Sequence, residues 1–302
     1  MRARSLIILA VMMMTVAACG GDGEDGTETT AGSATETSAA AAETTTAAET
    51  TAGAETTAAA ETTGATETSA ATSDIETIEA GTLTVCTDAP YVPMEFEEDG
   101  EFTGFDIELM RLIATDLGLE LAVNNSGFDP ITTGSAFAGD LCDIAAASIT
   151  ITEERAEAID FTDPYFTADQ SLLTKTDSGI ATIEDLAGQT FGVQSGTTGE
   201  AFAQENAPED ATIQSYDNPG DLFVALESGE IVAILQDLVV NQGRTLEDDT
   251  VAVVETYPTD EEYGFALEKD GNPALLAAVN EALAALQESG EYDALFEEWF
   301  GE

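Results

Sequence analysis

A chain of 302 residues with 43 % apolar side chains is long enough to bury one large core or two smaller ones. Seven Lys and Arg stand against 60 Asp and Glu, a formal charge of -53 that repels phosphate backbones and excludes nucleic acid as a partner. There is no His, the commonest general base and neutral metal ligand, and neither a metal nor a cofactor is expected.

Arg2 and Arg4, the apolar run from Leu6 to Val16 and the small residues Ala17 and Ala18 predict a signal peptide over 1–18; the run is too short to span a bilayer. Val16-Ala17-Ala18-Cys19 resembles a bacterial lipobox, in which the Cys thiol is acylated and becomes the new N-terminus. The expectation is an extracytoplasmic protein held on the cell membrane through Cys19. Residues 19–78 are predicted to be a disordered tether, nearly all Ala, Thr, Glu, Gly and Ser, with too little apolar area to offset the entropy of ordering. Two thiols remain, Cys86 and Cys142. An exported protein permits a disulfide between them, and two separate buried thiols are the alternative.

Folded sequence begins near Ile75. Residues 81–87 form a β-rich run that stops at the Pro-containing loop 88–93. Ile107, Met110, Ile113, Ala114 and Leu117 recur at helical spacing over 105–117, ahead of Gly118. Strands are predicted at 119–123 and 143–148, with a helix at 131–138 between them. After Tyr165 the alternation restarts. Strands are expected at 170–175, 190–193, 231–235, 251–255 and 264–267, and helices at 183–186, 200–205, 221–228, 273–289 and 292–300. The pattern is α/β, two lobes each with a mainly parallel sheet flanked by helices, joined by two crossover strands. Lobe one is expected over 79–167 plus 264–302, lobe two over 168–263, with the ligand cleft between them.

Residues 148–155, Ser-Ile-Thr-Ile-Thr-Glu-Glu-Arg, gather hydroxyls and a guanidinium in a chain with almost no other positive charge. A capping-box pattern from Thr150 to Glu153 places Ser148 and Thr150 beside exposed amides at a helix start. An anion there would meet hydroxyls, amides and the fork of Arg155 together. Taken alone, the stretch reads more readily as a capped helix with Arg155 in a surface ion pair.

Six stretches occur in order between 81 and 300: Thr87-Asp88-Ala89-Pro90-Tyr91, Gly104-Phe105-Asp106-Ile107, Ile149 to Arg155, Asp160 to Tyr165, Gly196-Thr197-Thr198 and Ala225-Leu226-Glu227-Ser228-Gly229. On these the chain resembles the extracellular solute-binding proteins of family 3, the amino-acid receptors of ABC importers. The resemblance implies a type II periplasmic-binding-protein fold, here a monomer, that closes on an amino acid and delivers it to an ABC permease. It also implies that Arg155, Thr150 and Ser148 hold the ligand α-carboxylate, joined from lobe two by Thr197 and Thr198. Asp237, after Leu235-Gln236, would pair with the α-ammonium, and Asp88, Tyr91 and Phe128 would line the side-chain pocket. Each has a plainer reading: the threonines as helix caps, the rings as core, Asp88 as a turn residue, Asp237 as one acid among 60. Tyr165 after Pro164 is expected to shape the hinge. Asp88 in an acidic surround favours a polar or cationic amino acid. The alternatives are a dehydratase-type enzyme on the same fold, acting on prephenate or arogenate, or a sensor domain. The missing His and the tether favour a receptor.

Overall fold

The computed structural model describes residues 75–301. The expected signal peptide, Cys19 and most of the expected tether lie outside the described residues. Leu83 and Val85 alternate with Thr82 and Thr84 to form β1 (Thr82–Thr87), whose later residues are buried. A hairpin, β2 (Phe96–Glu98) and β3 (Glu101–Thr103), precedes α1 (Phe105–Asp116), and β4 (Glu120–Asn125) follows it. The expected helix at 131–138 is instead two short ones, α2 (Phe128–Thr132) and α3 (Ser135–Ala138), because Gly134 between them sits at φ 76 and turns the chain. Next come β5 (Ile144–Ala145) and β6 (Ile159–Phe161).

The second half runs β7 (Phe166–Lys175), β8 (Thr190–Gln194), α4 (Thr198–Asn206), β9 (Thr212–Tyr216), α5 (Pro219–Ser228), β10 (Ala233–Asp237), α6 (Leu238–Glu247) and β11 (Val251–Tyr263). It returns through β12 (Ala266–Glu268) to α7 (Pro273–Ser289) and α8 (Glu291–Phe300). The expected helix at 183–186 is a 3₁₀ turn closed by a Thr182/Asp185 capping box. Sequence patterning misses β2, β3, β6, β9 and α6. In α6 the run Asn241-Gln242-Gly243 has loop chemistry, yet Asn241 is buried on Ser171 and Gln236, and Gly243 lets Pro93 and the Val92 carbonyl pack against the helix.

Apart from the β2–β3 hairpin, the strands form two sheets, ordered β4-β1-β5-β12-β6 and β9-β8-β10-β7-β11. In each, four of the five strands run one way and one opposes them: β12 in the first sheet, β7 in the second. That opposing strand is the one arriving from the other sheet. The architecture is therefore a two-lobed α/β fold of the type II periplasmic-binding-protein kind. Residues 162–165 and 264–265 carry the chain between sheets, tied together by amides exchanged between Thr162 and Phe265 and from Tyr165 to the Tyr263 carbonyl. The rings of Tyr165 and Phe265 stack there, 4.1 Å apart. The first core gathers Leu83, Val85, Phe105 and Ile113 under α7, and the second Leu172, Phe191, Val193 and Leu235.

The stretch after β5 departs from expectation. The strand ends at Ala145, and no α-helix follows; only a single 3₁₀ turn, Arg155–Glu157, forms. The backbone at 149–151 lies extended beside 262–264. Gly264 donates its N–H to Ile149, Ile151 donates to Glu262, and Thr150 bridges Tyr263. Those partners take the amides that a helix start would have left exposed. Cys86, in β1, and Cys142, just before β5, are disulfide-bonded with their Cα atoms 5.5 Å apart.

Candidate ligand-binding site

One narrow cavity between the lobes is lined by Asp88, Tyr91, Phe128, Ser148, Thr150 and Arg155 from the first lobe and by Thr197, Thr198 and Asp237 from the second. These are all nine expected ligand contacts. Glu95, Ala147 and Gln194 complete the wall. Tyr165 stays outside it, at the crossover, where its hydroxyl donates to both oxygens of Asp106.

Arg155 is 8 % exposed and makes no ion pair; those among the described residues involve Arg111, Arg244 and Lys269. The expected alternative, a surface ion pair, is thereby set aside. Its Nη1 donates to the Thr150 carbonyl at 2.8 Å and its Nη2 to the Gly196 carbonyl at 3.1 Å, across the cleft. The guanidinium lies over the ring of Phe128 at 5.0 Å, so this cavity-lining ring also supports the cation. Burial lowers the Arg155 pKa, Asp237 and Glu261 raise it, and a guanidinium stays charged under either influence.

The hydroxyls are engaged differently from expectation. Ser148 sits at φ 49; its N–H is taken by buried Asp106 at 2.9 Å, and its hydroxyl donates to Glu95 at 3.1 Å. Thr197 is the N-cap of α4, accepting from the Glu200 amide and donating to the Gln194 carbonyl. Thr150 and Thr198 both donate to Glu261, at 2.7 and 2.6 Å. A hydroxyl has one proton to give, and each of these is already placed.

Asp237 closes β10 and is buried. It accepts from Tyr91 at 2.9 Å, from Gln170 and from Tyr263. Burial, reinforced by Glu261, pushes its pKa up to about 6 against those three donors. Burial and the facing Asp237 push both phenols well above their ordinary range, so they remain donors. Asp88, held by Gln194 from the opposite lobe at 2.6 Å, is pushed by burial up to about 6. Glu95 is driven well above the carboxylate range by burial and by neighbouring Asp106. The cavity thus offers one unpaired guanidinium and three buried carboxyl groups, a set that suits a ligand with one anionic end and excess positive charge.

Sequence reasoning missed Glu95, Gln170, Gln194, Glu261 and Tyr263. In an acidic chain another Glu carries no signal, and each reaches the site through a fold contact far away in sequence.

A two-lobed fold with a polar, charged cavity between the lobes is the architecture of the type II periplasmic-binding-protein class. Residues 83–302 match the bacterial extracellular solute-binding proteins, family 3, and the chain belongs to that family, whose members are extracellular or periplasmic proteins. It is 34 % identical over 227 residues to the L-cystine-binding protein TcyJ of Escherichia coli (strain K12), covering 74 % of this chain and 84 % of that protein. Among solved structures it is similar to an ancestral arginine-binding protein bound to glutamine, with 36 % identity, TM-score 0.69, and coverage of 74 % of this chain and 100 % of that one. It is also similar to the ancestral amino acid-binding protein AncCDT-1, a precursor of cyclohexadienyl dehydratase, with 38 % identity, TM-score 0.65, and coverage of 73 % and 95 %.

Proposed function

We propose that this chain is the amino-acid receptor of an ABC importer, favouring a cationic amino acid, and that it is a binding protein without turnover. The observation that carries the reading is Arg155, a buried guanidinium with no carboxylate of its own, facing Asp237 across one cavity. The ligand α-carboxylate takes Arg155 and the α-ammonium takes Asp237, so the two charged ends engage opposite lobes and favour closure. Asp88 and Glu95 then face the side chain, where a second positive charge would satisfy both. Cystine, arginine and glutamine in the relatives' names support an amino acid. The proposal takes the lobes as 79–167 plus 264–302 and 168–263, and the receptor as a monomer anchored through a lipid on Cys19. Thermal-shift screening of the twenty amino acids, followed by calorimetry, tests it: arginine or lysine should raise the melting temperature most, and no response to any amino acid would overturn it.

One observation favours a dehydratase, the reaction named for the descendant of AncCDT-1. Glu95, whose pKa burial and neighbouring Asp106 raise, is a carboxyl group in the cleft that could serve as a proton donor. Ser148 donates to it, and we read it as part of the side-chain subsite. Turnover of prephenate or arogenate would decide for the enzyme.

A further inference from the structure

Glu261 stands just behind the cavity wall, in β11. The β11–β7 register slips between Tyr257 and Glu261, where Asp260 turns through φ 50 and the amides of Thr259 and Asp260 are gathered by Asp169 at 3.0 and 3.3 Å. That irregularity aims the Glu261 side chain at the cleft floor. There one carboxylate oxygen accepts from Thr150 of lobe one and Thr198 of lobe two, and the other from Gln170 and Thr259, both at 3.0 Å. All of these donors are neutral, and no described cation pairs with Glu261. Gln170 donates to Asp237 as well, which couples the two carboxylates through one amide.

We infer that Glu261 determines the charge selectivity of the cleft by standing in for a ligand carboxylate on Thr150 and Thr198. Any ligand carboxylate seeking those two protons competes with Glu261 for them and meets its negative charge. A ligand with an additional positive charge recovers that cost by attraction to the same group; a neutral ligand does not, and an acidic one is repelled twice. Glu261 is a positioning residue, acting through the threonines. The inference rests on the amino-acid reading above.

The test is calorimetric titration of the intact protein and of Glu261→Gln with arginine, glutamine and glutamate. Gln keeps the length and removes the charge. The preference for arginine over glutamine should fall by about tenfold, and glutamate should gain more than glutamine. Glu261→Asp keeps the charge but withdraws it from the threonines. All three ligands should then bind tighter, with their order unchanged. Ratios within about twofold of the unaltered protein in the Gln variant, or an equal loss for all three ligands, would overturn the inference. If Glu261→Gln does not fold, a uniform loss of affinity in Glu261→Asp overturns it instead. Failure of the unaltered protein to bind any of the three is a different result, which counts against the amino-acid reading.

Discussion

The Tyr91 hydroxyl crosses the cleft to donate to Asp237 at 2.9 Å, so the first lobe already grips the second lobe's buried carboxylate. Asp237→Asn keeps the shape but replaces an acceptor of three hydrogen bonds with an amide that offers only one acceptor atom. Amino-acid affinity should fall by at least about a hundredfold, as expected when a buried charge loses its partner. Calorimetry on a variant with an intact melting transition checks this, and unchanged affinity would place the ammonium elsewhere.

Among the described residues Arg155 is the only cation lining the cavity, and Arg155→Ala should abolish binding at millimolar ligand. Arg155→Lys separates charge from geometry. A lysine keeps the charge but loses the fork that reaches both Thr150 and Gly196 and the stacking on Phe128, so an intermediate loss of about ten- to a hundredfold is expected by titration.

Stability and affinity should respond to pH in opposite directions. Burial raises Asp88 and Asp237 to about 6, Asp106 to about 7 and Glu95 above its usual range. Each holds its proton more tightly folded than unfolded, so its stabilising contribution is complete below about pH 4 and is lost as pH rises through about 6 to 7. Scanning calorimetry of the ligand-free protein should find a melting temperature several degrees higher near pH 5 than near pH 8. Affinity should weaken as pH drops below about 6, because Asp237 must be ionised to hold an ammonium. A melting temperature that climbs over this range would contradict the buried-carboxylate account.

The Cys86–Cys142 bond closes a loop across 56 residues and ties the end of β1, next to Asp88, to the entry of β5, which leads to Ser148. Cys142→Ser, or reduction, should cost about 2–4 kcal/mol. Thermal melts with and without reductant read the difference, and mass spectrometry of alkylated protein should find both thiols protected before reduction.

The alternation of elements was legible because α1 and α7 repeat apolar residues at helical spacing and β1 is bounded by turn chemistry. Helix α6 was not legible: its buried Asn241 and its close-packed Gly243 read locally as a loop, and only contacts with Ser171 and Pro93 make them helical choices. Around the site, the resemblance to the family implied the same nine side chains that line the cavity, where the residues read alone left caps, core and turn as alternatives. The state of their protons was hidden. That Ser148 serves Glu95 depends on a hydrogen bond from its backbone N–H to Asp106, 42 residues away, and that Thr150 serves Glu261 depends on a slip in a strand 111 residues on. The local pattern at 150–153 suggested a cap, but the neighbouring strand offered the backbone better partners.

The second sheet is drawn wholly from the unbroken run between Phe166 and Tyr263, and those two residues pair with each other at its edge. A segment whose ends meet side by side can be lifted out and replaced without rethreading what remains. On the proposed reading, the grip on a ligand's two ends is thereby divided between exchangeable parts: Arg155 stays with the host and Asp237 travels with the insert, so grafting a relative's insert onto this chain should change one half of the recognition surface while leaving the other intact.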